Sequence, residues 1–268
     1  MVGLQPKYSF SNVDIVGDVQ YLHEFYSVYL KNERDIIIWL PPGYGNVDRR
    51  FPVLYMMDGQ NLFDPNTSFI GQDWKVDETA YRLIKQNKIE EIIVVGVYNS
   101  KDRMEEYNYF EPTGKRFASF LIRELKPFID ENFRTIAKAS KTGIMGSSLG
   151  GLFSFQLFWN FPKIFGKAAC LSNSFWVNDG EVFNMVNNIE PDLNEKSKLY
   201  IDCGSEEKQL IDDYYKMTDA LLAGKFKNSL NFYNYLDEGS RHTEPDWAKR
   251  LHIPLTFLFG KSRLPNAL

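Results

Sequence analysis

The sequence predicts an α/β fold in which helices cover both faces of a mostly parallel central sheet of about eight strands. Short runs rich in β-branched and aromatic residues alternate with longer stretches at helical spacing, which is the pattern of βαβ units. Several of the short runs are apolar throughout, as expected for strands that are covered on both faces. No repeat, low-complexity tract or Pro/Gly/Ser-rich linker divides the 268 residues, so we expect one domain over residues 1–268.

In the first half of the chain, strands are predicted at residues 35–40, 52–57 and 92–97, and a helix of about 13 residues begins at Lys75. The stretch Arg116–Asn132 is amphipathic at helical spacing, and Pro127 inside it predicts a kink or an early end.

In the second half, strands are predicted at residues 142–145, 167–171, 198–203 and 230–235, and helices at 149–160 and 244–259, the latter broken near Pro254. Cys170 and Cys203 each end an apolar run, which favours buried reduced thiols over a disulfide or a metal pair.

Composition excludes several classes of protein. The net charge is −4, and no basic block suggests nucleic-acid binding. The longest apolar runs have strand length, far below the roughly 20 residues that a membrane-spanning helix needs. Because Met1–Phe10 lacks a basic start followed by an apolar core, we expect no signal peptide and a cytoplasmic location. A chain whose leader had been removed would have the same pattern.

The most informative motif is Gly146-Ser147-Ser148-Leu149-Gly150, which matches G-x-S-x-G. A predicted strand precedes it and a predicted helix follows it, as in the nucleophile elbow of α/β-hydrolases, where a strained turn exposes one serine hydroxyl. Glycines are needed at both flanks because the strand and the helix pass close to each other. The spacing selects Ser148, not Ser147, as the nucleophile.

A serine hydroxyl needs a general base, and the chain has three histidines. His23 precedes the predicted sheet, and His252 lies in the last predicted helix among apolar neighbours. His242 lies in a polar loop between the last predicted strand and that helix, where an α/β-hydrolase places its base. We therefore predict His242 as the base.

The third member of a triad should be a carboxylate that orients the histidine. The segment after the strand that ends at Cys203 offers two neighbouring carboxylates, Glu206 and Glu207. Asp202 lies within the strand, and Asp212 and Asp213 belong to the next helix. We predict Glu207, with Glu206 as the alternative.

Backbone amides should bind the oxyanion of the reaction. The amide of Leu149 opens the helix after the nucleophile, and Gln60 follows Gly59 in the loop after the second predicted strand. We predict these two amides as the donors. The sequence contains no dinucleotide-binding or P-loop motif and no H-E-x-x-H or C-x-x-C, so no cofactor and no metal are expected.

Six segments together resemble the family known as "Putative esterase", the branch of the α/β-hydrolases that includes esterase D-like, feruloyl, acetylxylan and enterochelin esterases. These segments are Trp39–Tyr44, Phe51–Phe63, Arg103–Tyr107, Gly143–Gly151, Ile201–Glu207 and His242–Trp247. They extend over roughly residues 10 to 260 in the family's order and spacing.

The resemblance implies the α/β-hydrolase fold and a catalytic triad of Ser148, His242 and the carboxylate after Gly204-Ser205. It also implies that Arg103 contacts the substrate or braces a loop at the site, with a surface ion pair as the alternative. For Trp176 it implies a position in the pocket wall. The alternative is a buried position in the core.

We therefore expect a serine esterase that acts through an acyl-enzyme on a small ester, with an acylated carbohydrate as the first choice. A siderophore trilactone is the rival substrate, and S-formylglutathione fits less well. An acyltransferase would share the triad but pass the acyl group to an alcohol. A non-catalytic carbohydrate-binding protein on the same fold is a third class, and it would have no need for all three triad side chains. The oligomeric state is not predicted.

Overall fold

The computed structural model describes residues 15–227 and 229–262. Within them, eight strands form one sheet in the order β1-β2-β4-β3-β5-β6-β7-β8. The strands are β1 (Asp18–Ser27), β2 (Asn32–Leu40), β3 (Val53–Met57), β4 (Ile93–Val97), β5 (Thr142–Ser147), β6 (Lys167–Leu171), β7 (Lys198–Gly204) and β8 (Phe232–Asp237). Strands β3 to β8 pair in parallel, and β1 and β2 are antiparallel to their neighbours. The predicted α/β fold with about eight strands is confirmed.

Nine α-helices follow the strands in the described part of the chain. They are α1 (Val76–Lys85), α2 (Arg103–Glu106), α3 (Pro112–Phe120), α4 (Lys126–Asn132), α5 (Leu149–Asn160), α6 (Val177–Asn188), α7 (Ile211–Ala223), α8 (Glu244–Arg250) and α9 (His252–Phe259). The predicted long C-terminal helix is two helices, which meet at Leu251 rather than at Pro254. Helix α1 is shorter than the predicted 13 residues.

Two hydrophobic clusters lie on opposite faces of the sheet. Alternate side chains of the strands point to opposite faces, so Tyr55 and Met57 join one cluster, while Leu54 and Met56 join the other. Helices α3 to α7 contribute to the first cluster, and α1, α8 and α9 to the second. Helix α5 is buried along nearly its whole length, which agrees with its almost continuous apolar sequence.

Strand β1 was not predicted. The prediction that His23 precedes the sheet is wrong, because His23 lies within β1 at the edge of the sheet. The pairing of β1 with β2 shifts between Leu22 and Phe25, where Glu24 has a positive φ of 54°. This irregularity interrupts the alternation of buried and exposed residues, which is the pattern that reveals a strand in a sequence.

Pro127 neither ends the helical segment nor leaves it regular. A π-helical turn, Leu121–Leu125, joins α3 to α4, and Pro127 lies in the first turn of α4. Proline cannot donate the N–H that a regular α-helix would need at this point, and a wider turn accommodates the missing bond.

The loops at the carboxyl ends of the parallel strands gather at one edge of the sheet, which is where such folds place their sites. Cys170 and Cys203 are buried free thiols in β6 and β7, as predicted. Among the described residues, no helix combines the length and the apolar composition needed to cross a membrane. The segment Met1–Phe10, on which the expectation about a signal peptide depends, lies outside the described residues.

Candidate active site

Ser148 lies at the turn between β5 and α5 with φ 56° and ψ −122°. Non-glycine residues rarely adopt a positive φ, and such strain is a feature of functional turns. A Cβ on Gly146 would lie 2.5 Å from the carbonyl carbon of Gly150, so the strand and the helix approach as closely as the motif requires. The turn has the geometry of a nucleophile elbow.

The Ser148 hydroxyl lies 3.2 Å from the hydroxyl of Ser174, which follows β6. Ser148 also lines a cavity of about 480 Å³ together with His242, Trp176 and Leu210. Ser148 and His242 therefore face the same cavity. Among the described residues, Ser174 is the side chain to which the Ser148 hydroxyl is hydrogen-bonded.

His242 and Glu207 form a close pair. The Nδ1 atom of His242 lies 2.8 Å from Oε2 of Glu207, which comes from the loop after β7. The ring of Trp247 contacts the imidazole edge-on, with the ring centroids 5.0 Å apart. In the tautomer that carries its proton on Nδ1, the imidazole donates a hydrogen bond to the carboxylate and Nε2 has a free lone pair.

The environment of Glu207 favours its charged form. Burial alone would raise the pKa of this carboxyl, but hydrogen bonds from His242, Ser172 and the Gly204 amide outweigh burial and hold the pKa below its usual value. Ser172 Oγ and the Gly204 amide both donate to Oε1, at 2.6 and 2.8 Å. Glu207 is thus a buried carboxylate whose second oxygen is directed to the imidazole.

Glu206, the alternative for the acid, differs from its neighbour. Its side chain is exposed, whereas Glu207 is only 5% exposed. The backbone amide of Glu206 donates to the Ser240 carbonyl. Of the two glutamates, Glu207 is the one that contacts His242.

The loop after β3 lies beside the start of α5. A Cβ on Gly150 would lie 3.0 Å from the Cβ of Met57, at the end of β3. Gln60 follows in a short 3₁₀ turn, Gly59–Asn61, and its amide has no acceptor within the described ranges. The Leu149 amide opens α5 and has no partner within its own helix. Both predicted oxyanion donors therefore belong to elements that meet at the elbow.

Arg103 braces the loop that carries Gln60. Its Nε and Nη2 atoms donate to the two carboxylate oxygens of Asp58, at 2.7 and 2.8 Å. Asp58 is buried, has a positive φ of 58° and also accepts a hydrogen bond from Asn99. Of the two roles predicted for Arg103, this geometry supports loop bracing.

Trp176 is 52% exposed and lies in the wall of the cavity. The alternative prediction of a buried core position is therefore wrong.

Several polar residues at this edge were not singled out from the sequence. Ser174 lies against Ser148, and Ser172 and Arg250 lie behind Glu207. Glu244 opens α8, where burial and the nearby Asp58 carboxylate raise the pKa of its carboxyl. None belongs to a short motif, and only the folded chain brings them together.

Comparison with known proteins agrees with the observed fold. The family model described as "Putative esterase" matches residues 27–255, which is most of the chain. An uncharacterized protein of Bacillus subtilis, YbbA, is 24% identical over 256 residues, covering 88% of this chain and 97% of YbbA.

A longer relative, the endo-1,4-beta-xylanase/feruloyl esterase of Xylanibacter ruminicola, is 29% identical over 226 residues. The alignment covers 83% of this chain but only 29% of that protein. Among solved structures, the enterobactin esterase FES of Shigella flexneri superposes with a TM-score of 0.74 at 18% identity, over 90% of this chain and 59% of FES. At that identity the match supports the fold.

Proposed function

This chain belongs to the Putative esterase family, and we propose that, as a serine ester hydrolase of that family, it uses Ser148, His242 and Glu207 to cleave its substrate through an acyl-enzyme. The observation that carries the proposal is the convergence of a strained serine elbow and a histidine–carboxylate pair on one cavity. A serine in a strand-to-helix elbow beside such a pair is the arrangement used for acyl transfer.

In the proposed reaction, the Ser148 hydroxyl leaves Ser174 and donates to Nε2 of His242. Glu207 holds the Nδ1–H tautomer and stabilises the imidazolium that forms when His242 takes the proton. Ser148 Oγ then bonds to the ester carbonyl carbon, and the carbonyl oxygen becomes an oxyanion.

The amides of Leu149 and Gln60 are proposed to donate to this oxyanion. The dipole of α5 adds a favourable field because its positive end is at Leu149. As the carbonyl re-forms, His242 returns the proton to the leaving alcohol and the ester C–O bond breaks. Water, deprotonated by His242, then cleaves the acyl-enzyme, and the serine regains its proton.

We propose an acylated carbohydrate as the substrate. Trp176 presents an exposed aromatic face beside Ser148, and flat aromatic surfaces suit sugar rings and aromatic acyl groups. The name of the Xylanibacter relative pairs a xylanase with a feruloyl esterase, which supports an ester on a polysaccharide. A ferric siderophore is anionic and would need a basic pocket, whereas Glu206 and Glu207 outnumber Lys208 among the charged lining residues.

Hydrolysis of p-nitrophenyl acetate by Ser148→Ala tests the nucleophile. Loss of a triad serine is expected to lower kcat by about a million-fold. Ser147→Ala is the matched control, since Ser147 is the neighbouring serine at the end of β5, and it should keep its activity. Equal rates for wild type and Ser148→Ala would remove the basis for the proposed triad.

Replacement of Trp176 tests the substrate class. On acetylated xylo-oligosaccharides, Trp176→Ala should raise KM roughly two- to tenfold because the aromatic platform is lost, and Trp176→Phe should restore most of the affinity. On p-nitrophenyl acetate, KM should change little. An unchanged KM for the acetylated sugar in Trp176→Ala would argue against this platform.

A further inference from the structure

We propose that Ser172 is a positioning residue. Its hydroxyl donates a hydrogen bond to the Glu207 carboxylate and holds it in one orientation, an arrangement called the lock below. Two buried donors, Trp247 and Arg250, fix the direction of this hydrogen bond. The inference rests on the proposed function, in which Glu207 is the triad acid. Ser172 lies directly after β6, is fully buried, and is not part of the G-x-S-x-G motif.

The Ser172 hydroxyl has three polar neighbours. The indole Nε1 of Trp247 and Nη2 of Arg250 each lie 2.8 Å from Oγ, and Oε1 of Glu207 lies 2.6 Å from it. These are hydrogen-bond distances, and all three side chains are buried.

The chemistry of the neighbours fixes the direction of each bond. Indole and guanidinium nitrogens only donate, and an ionised carboxylate only accepts. A hydroxyl accepts two hydrogen bonds and donates one. Trp247 and Arg250 therefore occupy both lone pairs of Ser172 Oγ, and its single proton is directed to Glu207.

Arg250 is itself held rigidly. Its Nε and Nη2 atoms donate to the two oxygens of Asp202, at 2.9 and 3.1 Å. Burial alone would lower the pKa of Arg250, but the Asp202 carboxylate raises it, so the guanidinium stays charged. Tyr200 and the Ser172 amide also donate to Asp202, which satisfies that buried carboxylate.

The lock selects which oxygen of Glu207 serves the histidine. Oε1 is occupied by Ser172 and by the Gly204 amide, so Oε2 faces Nδ1 of His242. Without the hydrogen bond from Ser172, the Glu207 carboxylate is freer to rotate about χ3, and Oε2 is held less firmly towards His242. Since Trp247 and Arg250 both belong to α8, which begins just after His242, one helix fixes the base directly and the acid through Ser172.

The experiment is a double-mutant cycle in the intact enzyme with p-nitrophenyl acetate. It compares the wild type, Ser172→Gly, Glu207→Gln and the double variant. Glycine is chosen because Ser172 has a positive φ of 46°, which glycine adopts without strain. Ser172→Ala is a second removal of the hydroxyl. Ser197→Ala is the control, because Ser197 is also a buried serine but lies before β7, at the opposite end of the sheet.

In Ser172→Gly, kcat should fall about 10- to 100-fold while KM stays nearly constant. The substitution removes a hydrogen bond to the charged Glu207 carboxylate, which acts on the histidine in the proposed catalytic step and not in substrate binding. If Ser172 acts through Glu207, the double variant should be no slower than Glu207→Gln alone. Ser197→Ala should keep the wild-type kcat.

Two results would overturn the inference. One is wild-type kcat in either folded Ser172 variant, and the other is a double variant whose loss is the product of the two single losses. Wild-type activity in Glu207→Gln would instead contradict the proposed triad, so failure of the function and failure of the lock are distinguishable.

Discussion

Glu206 and Glu207 are neighbours on one loop, and they differ in almost every physical respect. Glu207 is buried and accepts hydrogen bonds from Ser172, Gly204 and His242, whereas Glu206 is exposed. A sequence does not say which way a loop side chain points, so it left the two glutamates open. Ser148 and His242 could be selected from a motif and from a short list of histidines, and their catalytic roles stay predictions until tested.

The pair of glutamates provides a matched test of the acid. Glu207→Gln keeps the shape but removes the charge that is proposed to stabilise the imidazolium, so kcat should fall about 10³- to 10⁴-fold. Glu206→Gln should lose far less, because its exposed side chain forms no hydrogen bond or ion pair with His242. Steady-state kinetics on p-nitrophenyl acetate measures both, and a larger loss in Glu206→Gln would reverse the assignment.

Ser172 and Arg250 show why part of the site could not be predicted. Arg250 is 48 positions from Asp202 in the sequence, yet the two side chains form a buried ion pair. Charged residues are rarely buried, and a sequence reading places them at the surface by default. Only the packing of α8 against the sheet reveals their contact.

Among the structural elements, the loop after β3 depends on α2 for its shape. Asp58 has a left-handed backbone, and Arg103 of α2 holds its carboxylate through two hydrogen bonds. Arg103 also lies over the ring of Tyr107, and the Tyr107 hydroxyl accepts a hydrogen bond from the Asp58 amide. The short helix α2 thus sets the position of the turn that carries Gln60.

Removal of that support should reduce catalysis without abolishing the fold. In Arg103→Ala, Asp58 loses its ionic partner and the Gln60 amide shifts, so kcat should fall about 100-fold, as for the loss of one oxyanion donor. Arg116→Ala is the control, because that arginine is exposed and, within residues 15–227 and 229–262, its side chain hydrogen-bonds only to Thr113. A wild-type kcat in a folded Arg103→Ala would show that the loop keeps its shape unaided.

The elements themselves were predicted unequally well. Strands buried on both faces, such as β4 and β6, were found from their continuous apolar runs, and their predicted bounds differ by no more than one residue. Strand β1 was missed because it lies at an edge and contains a bulge near Glu24. Periodicity identifies regular, well-covered elements, and it fails where the pairing is irregular.

For the whole molecule, a buried carboxyl links α1 to the segment before β1. Oδ2 of Asp77 accepts a hydrogen bond from the Val16 amide at 2.7 Å, and the side chain is almost fully buried. Burial and the neighbouring Glu78 carboxyl raise the pKa of Asp77 to about 8. The folded state therefore holds a proton that the unfolded chain releases near pH 4.

This difference predicts how stability depends on pH. Between about pH 4 and 8 the unfolded chain binds fewer protons at Asp77 than the folded state, so the free energy of unfolding should fall as pH rises. Asp77→Asn keeps an acceptor for Val16 and removes the titration. At pH 8 it should be more stable than wild type, by on the order of 2–4 kcal/mol, and the gap should shrink at pH 5.

Urea denaturation at the two pH values measures the gap. Asp192→Asn serves as the control, since Asp192 is exposed and its partner in the described part of the chain is the exposed Lys163. A gap for Asp77→Asn that is the same at pH 5 and pH 8 would contradict the raised pKa.

The chain order of the site has a consequence for the timing of synthesis. Ser148 lies between β5 and α5, in the middle of the chain, whereas His242 follows β8, the last strand of the sheet. Ribosomes add about 5–20 residues per second, so roughly 5–20 s separate the two residues during translation. Throughout that interval the growing polypeptide carries the proposed nucleophile without the proposed base. On the proposed assignment, the nascent chain should therefore stay inactive until His242 has been synthesised and the fold is complete.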